Sequence, residues 1–104
     1  MNGLLWWYMF GGTRGGYTRG FILNHLTDKP NNARQLAQAL NIDYKITRHH
    51  LDLLAKNGVI TFGGDKYDKT YFPSNVVEAN LKEFNQIWEK IERNIKQDEV
   101  QNFQ

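Results

Sequence analysis

Residues 31–60 read NNARQLAQALNIDYKITRHHLDLLAKNGVI, a pattern that predicts two helices joined by a tight turn and followed by a strand. Asn32 can cap the first helix, because Gln35 stands three residues later and the two residues can form a capping box. The apolar residues of this helix recur at helical spacing: Leu36, Ala37, Ala39 and Leu40. We therefore expect a helix with one buried side, ending where Asn41 and Ile42 break the period.

A second helix is predicted over residues 43–57, with Asp43 as its cap. Its apolar side has members at helical spacing: Thr47, Leu51 and Leu54. Either Ile46 or Thr47 could face the core at the start of the helix. Three polar side chains then point outward: Lys45, Arg48 and His49. Two helices in this order form a helix-turn-helix, so double-stranded DNA is the first partner to test.

A hairpin is predicted directly after this helix, over residues 60–72. Residues 59–62 and 69–72 are rich in β-branched and aromatic types, and a glycine-containing turn separates them. A hairpin in this position is a wing. Lys66 and Lys69, on or near its tip, can reach phosphate groups of a duplex.

The segment before residue 31 predicts the first helix of a three-helix core. Residues 12–16 are rich in glycine and indicate a turn, after which Thr18 can cap a helix that ends before Asp28. The apolar residues of that helix are Phe21, Ile22, Leu23 and Leu26. The winged helix-turn-helix domain would therefore span residues 12–74, in a mainly α, α+β fold.

A long helix is predicted over residues 75–97. Six apolar residues alternate at spacings of four and three, which makes a heptad seam: Val77, Leu81, Phe84, Trp88, Ile91 and Ile95. A domain of this size offers little internal surface to cover about 30 Å of helix, so we expect the seam to meet a second copy of the chain. The alternative is that the helix folds back over its own core and N-terminal arm. Residues 98–104 are expected to fray.

The N-terminal arm, residues 1–11, contains the apolar run LLWWYMF at residues 4–10. This run is too short to cross a bilayer, which needs about 20 residues in a helix, and it lacks the basic start and small-residue cleavage site of a signal peptide. We expect its aromatic residues, Trp6 and Trp7 among them, to pack on the C-terminal helix of the same chain or of a partner. Contact with a membrane or another protein is the alternative.

Composition and charge exclude several classes of function. The chain of 104 residues has no cysteine, which excludes disulfides, thiolate metal sites and cysteine nucleophiles and fits a cytoplasmic protein. Residues 1–77 hold nine Lys or Arg against five Asp or Glu, whereas residues 78–104 hold four against six. This division suits a nucleic-acid module followed by a separate C-terminal function. No arrangement typical of catalysis stands out, so we expect no enzyme, no cofactor and no small-molecule substrate.

The chain resembles winged helix-turn-helix transcriptional regulators of the ArsR type, and especially small archaeal members. The motifs that carry the resemblance lie between residues 12 and 73: GTRGG at 12–16, NNARQLAQAL at 31–40, DYKITRHHLDLL at 43–54 and KNGVI at 56–60. The resemblance implies dimeric, sequence-specific DNA binding, with the recognition helix in the major groove and the wing on the backbone or minor groove. Metal-sensing members use cysteines that are missing here, so metal-controlled release is not implied.

The residue types of the helix-turn-helix predict individual roles in DNA binding. Arg48 suits base reading, because a guanidinium can bond guanine O6 and N7 together; a surface ion pair with Asp52 is the alternative. Lys45 suits a phosphate, and Thr47 could contact either if it is not buried. Arg34 and Gln35 are expected at the DNA backbone. Tyr44 could stack on a sugar or pack on the first helix of the helix-turn-helix. We therefore predict a homodimeric transcriptional regulator, with a winged-helix protein-interaction module without DNA binding as the alternative.

His49 and His50 do not predict a metal site. Neighbours on a helix point about 100° apart and cannot share an ion as an i, i+4 pair could. We expect one of them to face DNA and the other to make a buried hydrogen bond. No metal ion is expected.

Overall fold

The computed structural model describes residues 9–11, 13–65 and 67–102, with side chains described as far as residue 97. The elements follow one another as α1 (Arg14–Asp28), β1 (Asn31–Asn32), α2 (Ala33–Leu40), α3 (Tyr44–Lys56), β2 (Ile60–Gly63), β3 (Thr70–Pro73), α4 (Asn75–Ala79) and α5 (Leu81–Asn102). The three strands form one antiparallel sheet in the order β1-β3-β2. This mainly helical α+β architecture, with a two-stranded wing after α3, confirms the predicted fold class.

Helix α1 begins earlier than the sequence predicted. Thr13, not Thr18, caps it, and the Thr13 hydroxyl accepts a hydrogen bond from Gly16 N at 3.0 Å. Thr18 lies inside the helix and donates to Arg14 O at 3.1 Å. Gly16 lies in the first turn of α1, close against the preceding backbone: a Cβ on Gly16 would lie only 3.0 Å from Gly11 O. Glycine is therefore needed here for a close approach between chain segments, and it does not mark a turn. The predicted turn before the helix is wrong for this reason.

The core lies where the three helices, the sheet and α5 meet. Its members are buried and mostly aliphatic, with aromatic residues toward α5: Met9, Phe10, Ile22, Leu23, Leu26, Ala33, Leu36, Leu51, Leu54, Val59, Ile60, Tyr71, Val77, Phe84, Trp88 and Ile91. The apolar side predicted for α3 is buried as expected. In α1 the prediction holds for Ile22, Leu23 and Leu26, whereas Phe21 is 39% exposed, and Ala39 of α2 is exposed as well. Transfer of this apolar surface out of water is the main favourable contribution to folding.

The sheet ties the start of α2 to the wing. In β3, Tyr71 pairs with Asn31 on one side and with Phe62 on the other. The sequence analysis missed β1, because a strand of two residues has no periodicity to detect. This strand positions the start of α2, because the first residues of α2 follow directly from a strand that is hydrogen-bonded to the wing.

The predicted C-terminal helix is interrupted at Asn80. Ser74 caps α4, and Asn80 ends it, with its side-chain Nδ2 donating to Val76 O at 2.8 Å. Helix α5 then starts at Leu81 and continues to Asn102, beyond the predicted end at residue 97. Asn80, with φ −119° and ψ 24°, therefore separates two helices where the sequence predicted one.

The heptad seam is covered by the chain's own core. Four of its side chains are buried there: Val77, Phe84, Trp88 and Ile91. The Phe84 ring packs edge-on against Phe10 at 5.5 Å between centroids, and Trp88 packs likewise against Phe21 at 5.0 Å. We therefore correct the prediction that these four form an intermolecular seam. The other two positions, Leu81 and Ile95, are half-buried and rest against the same core.

The end of the N-terminal arm is part of this packing. Met9 and Phe10 are fully buried, and the Met9 carbonyl accepts a hydrogen bond from Arg19 Nε at 2.8 Å. Trp6 and Trp7 lie outside the described residues. Within the described part of the chain, no helix has the length and apolar composition needed to cross a membrane.

Candidate nucleic-acid interface

The helix-turn-helix is held by local hydrogen bonds that the sequence predicted. Asn32 Oδ1 accepts from Gln35 N at 2.8 Å, and Gln35 Oε1 accepts from Asn32 N at 3.0 Å, which completes the capping box. Asn41 adopts the left-handed conformation with φ 53° and ends α2. Asp43 Oδ1 then accepts from Lys45 N at 2.8 Å and from Ile46 N at 3.3 Å. These caps fix where both helices begin.

Helix α3 has clearly different inner and outer sides. Thr47 is fully buried, and its hydroxyl donates to Asp43 O at 2.9 Å, so it is withdrawn from the predicted DNA-binding set. Ile46, in contrast, is 51% exposed, which settles which of the two faces the core. The β-branched methyl of Thr47 takes the core position, and its hydroxyl is satisfied within the helix, so burial costs little. Lys45 and His49 point outward as predicted.

Predicted residues from three elements meet around one surface cavity of about 240 Å³. It lies between the start of α2, the first half of α3 and the wing. Its lining includes three cationic side chains, one from each of these elements: Arg34, Arg48 and Lys69. Tyrosines from α3 and the wing complete much of the rest: Tyr44, Tyr67 and Tyr71. One carboxylate, Asp68, also lines it.

Arg48 is turned toward this cavity. Its Nη1 donates to Tyr44 Oη at 3.3 Å, and this hydrogen bond is the largest cause of a raised pKa for Arg48. Among the described residues, Arg48 forms no ion pair with Asp52, so the surface pairing weighed from the sequence does not occur. Its Nε is shielded from solvent and has no hydrogen-bond partner within that part of the chain. Arg48 therefore presents a permanent positive charge beside Arg34 and Lys69.

The wing presents aromatic as well as cationic groups. Lys69 Nζ lies 4.2 Å from the centroid of the Phe62 ring, a cation–π contact that holds the ammonium on the hairpin. Tyr67 is 91% exposed in the connecting turn, where Asp65 Oδ1 accepts from Tyr67 N and Asp68 N, each at 2.9 Å. Lys66 falls outside the described residues.

Three residues on or near this surface were not among the predicted site residues: Ile46, Tyr67 and Tyr71. The sequence left open whether Ile46 or Thr47 faces the core, and it gave Tyr67 no role. An aromatic between two lysines of a predicted wing would have been a usable signal for Tyr67. Tyr71 gave no such signal, because only the fold brings it beside Arg48; burial raises the pKa of its hydroxyl.

Gln35 and His50 are both occupied by the fold and are not free contact residues. Gln35 is exposed, but its Oε1 is engaged in the capping box. His50 is buried, and its Nδ1 has no hydrogen-bond partner among the described residues, so the predicted buried hydrogen bond is not made by that atom. The part of the chain that the structure describes contains no group of three or more His, Cys, Asp or Glu suited to a metal ion.

Comparisons with known proteins give a fold and no sequence family. No protein-family model and no curated protein matches the chain. In structure it is similar to the adhesin competence repressor of Streptococcus pyogenes, with a TM-score of 0.61 and 19% identity over 84% of this chain and 65% of that one. It is also similar to a MarR transcriptional regulator from Methanosarcina mazei, with a TM-score of 0.58 and 19% identity over 85% and 69% of the two chains.

A third neighbour covers most of both molecules. It is a homodimeric winged helix-turn-helix DNA-binding domain from Mycobacterium bovis, described as a possible ArsR-family transcriptional regulator. The TM-score is 0.65, with 15% identity over 90% of this chain and 85% of that one. Identities this low show the fold alone, and the chain spans less than two thirds of the streptococcal repressor. The fold is the winged helix, which MarR-family and ArsR-family regulators share.

Proposed function

We propose that this protein is a DNA-binding transcriptional regulator that places α3 in the major groove and the wing against the backbone or minor groove. The observation that carries the proposal is the meeting of Arg34, Arg48 and Lys69 around one cavity of a winged helix. Each cation comes from a different element, so the grouping is a product of the fold. A duplex, with its closely spaced phosphates, is the partner that such a surface suits.

The cavity residues suit backbone contacts, which position a protein on DNA. Arg34 lies in the first turn of α2, where free amide hydrogens and the helix dipole also favour a phosphate. Arg48, bound to Tyr44 and half-buried, has less freedom to reach a base edge than a fully exposed arginine. We therefore move Arg48 from base reading to phosphate binding, and leave the bases to the exposed first turns of α3.

A homodimer is the second part of the proposal. Two copies would present two recognition helices to the two halves of a palindromic site. Two observations support it: one structural neighbour is a homodimeric domain, and α5 keeps half-buried apolar residues at Leu81, Ile87 and Ile95. The buried seam residues are not available, so these positions are where a second copy would rest.

Selection of bound sequences from a random duplex pool, at a stated salt concentration, tests the function directly. We expect an enriched palindrome, and we expect affinity for it to fall as salt rises. Enrichment of nothing, together with negligible duplex binding at ~50 mM salt, would overturn the proposal and favour a winged-helix protein-interaction module.

The roles of the cations can be tested on the selected duplex. Lys69→Ala should weaken binding to all sequences alike and lower the slope of log K against log salt by about 1. Lys90→Ala, an exposed lysine on α5, is the matched control and should leave the slope unchanged. If Lys69→Ala and Lys90→Ala gave the same slope of log K against log salt, Lys69 and the cavity that it lines would not contact DNA.

The dimer can be tested separately by light scattering. Ile95→Glu should reduce the measured mass from that of two chains to that of one, with Lys96→Glu on the same turn as the control. A parent protein with the mass of one chain, alone and on DNA, would rule out the homodimer while leaving DNA binding intact.

A further inference from the structure

Ile46 is a large apolar side chain exposed at the start of the proposed recognition helix. It is 51% exposed, and its amide is held by the cap, donating to Asp43 Oδ1 at 3.3 Å. Its neighbour Thr47 has taken the core position. The backbone of Ile46 is therefore held by the cap while its side chain is exposed to solvent. It lies on the first turn of α3, the part of a recognition helix that contacts base edges.

Ile46 lies outside the cavity that Arg34, Arg48 and Lys69 line. Arg48 and Tyr44 line the cavity, whereas Ile46 does not. His49, three residues later, is exposed beside it, since residues at i and i+3 are neighbours on a helix. The His49 ring is steadied by an edge contact with His50 at 5.6 Å between centroids. The outer side of the first two turns thus offers one apolar group next to polar ones.

Only one base offers an apolar group in the major groove, the 5-methyl of thymine. We infer that Ile46 contacts this methyl group in each half-site and so makes the protein prefer thymine at one position. The inference rests on the proposed function and gives it a specificity-determining residue. A methyl group enclosed by the isoleucine loses its contact with water, which is the source of the preference.

The test uses the selected duplex with each thymine replaced in turn by deoxyuridine, which lacks only the methyl group. For the parent protein we expect one position per half-site at which the replacement weakens binding about fourfold, the value for one buried methyl-sized group. Ile46→Ala should bind the thymine duplex more weakly and should no longer distinguish it from the deoxyuridine duplex. Val76→Ala, a similarly exposed apolar residue on α4, should retain the parent's distinction.

The outcomes separate this inference from the proposed function. Tight binding by the parent with no sensitivity to deoxyuridine at any position overturns the inference and leaves DNA binding standing. Full sensitivity retained by Ile46→Ala also overturns it. Absence of duplex binding by the parent overturns the proposed function and the inference together. Circular dichroism of each variant checks that the helices remain formed.

Discussion

Gly20 lies against the indole of Trp88 so closely that no side chain could stand between them. A Cβ on Gly20 would overlap Cζ3 of Trp88 and lie 2.6 Å from its Cη2. The contact joins the middle of α1 to the middle of α5. It brings the largest side chain of α5 against α1, where Phe21 also packs edge-on against it.

Gly20→Ala should therefore destabilise the protein, although alanine is the better helix former. The gain in helix propensity is about 1 kcal/mol, whereas overpacking of a core typically costs about 1–3 kcal/mol and here requires a whole indole to move. We expect a net loss of unfolding free energy, measured by urea denaturation.

Gly15→Ala is the matched control in the same helix. Its Cβ would meet the end of the Arg19 side chain, Nη1, at 3.3 Å, and a side-chain end can move further than a buried ring. We expect its stability to stay within about 1 kcal/mol of the parent. Equal losses for the two variants would mean that the Gly20 contact with Trp88 is not tight.

Trp88→Ala tests whether the heptad seam serves the chain's own core. Trp88 is almost fully buried within one chain, so its loss should lower the unfolding free energy by about 3–5 kcal/mol at any protein concentration. The mass of the native protein should not change. A loss that disappears at high protein concentration, or a halved mass with normal stability, would instead indicate a seam between two chains.

The local features of the fold were predictable, because they depend on residues close in sequence. The capping box of Asn32 and Gln35, the cap at Asp43 and the hairpin after α3 all appear where the sequence placed them. The two caps depend on contacts across two or three residues, and the hairpin follows from two strand-like segments separated by a glycine-containing turn.

The errors concern surfaces that only tertiary structure supplies. A heptad pattern says that Phe84 and Trp88 need covering, but it does not say what covers them, and here Phe10 and Phe21 do so. The sequence predicted Thr18 as the cap of α1, where the structure has Thr13, because glycines usually indicate turns. The candidate site shows the same limit: outward positions on α3 were predictable, whereas the grouping of Arg34 with Lys69 depends on how α2 meets the wing.

Asp43→Ala tests the cap that fixes the start of α3. Asp43 Oδ1 accepts two amide hydrogens, from Lys45 and Ile46, and loss of such a cap costs about 0.5–2 kcal/mol. Asp43→Asn keeps a side-chain oxygen in the same place and should recover most of that stability. Thermal unfolding of the three proteins measures the effect, and equal losses for alanine and asparagine would show that the hydrogen bonds of the cap contribute little.

His50 should make stability depend on pH. Burial lowers the pKa of His50 below its ordinary 6.5, and positive charge on Arg19 and His49 lowers it further. The folded protein therefore holds His50 neutral at a pH where the unfolded chain already binds a proton. Because the unfolded state then binds more protons, stability falls as pH falls. The contribution of His50 is fully present above 6.5 and is lost as pH drops through 6.5 toward the lower folded pKa.

His50→Gln should remove this dependence while keeping a polar side chain of similar reach. We expect the melting temperature of the parent to fall more steeply than that of His50→Gln between about pH 7.5 and pH 5.5, the range in which histidine titrates. Asn24→Gln, at an exposed and non-ionisable residue of α1, is the control and should keep the parent's slope. Parallel curves for the parent and His50→Gln would show that His50 takes up its proton equally in both states, which is incompatible with its burial beside Arg19.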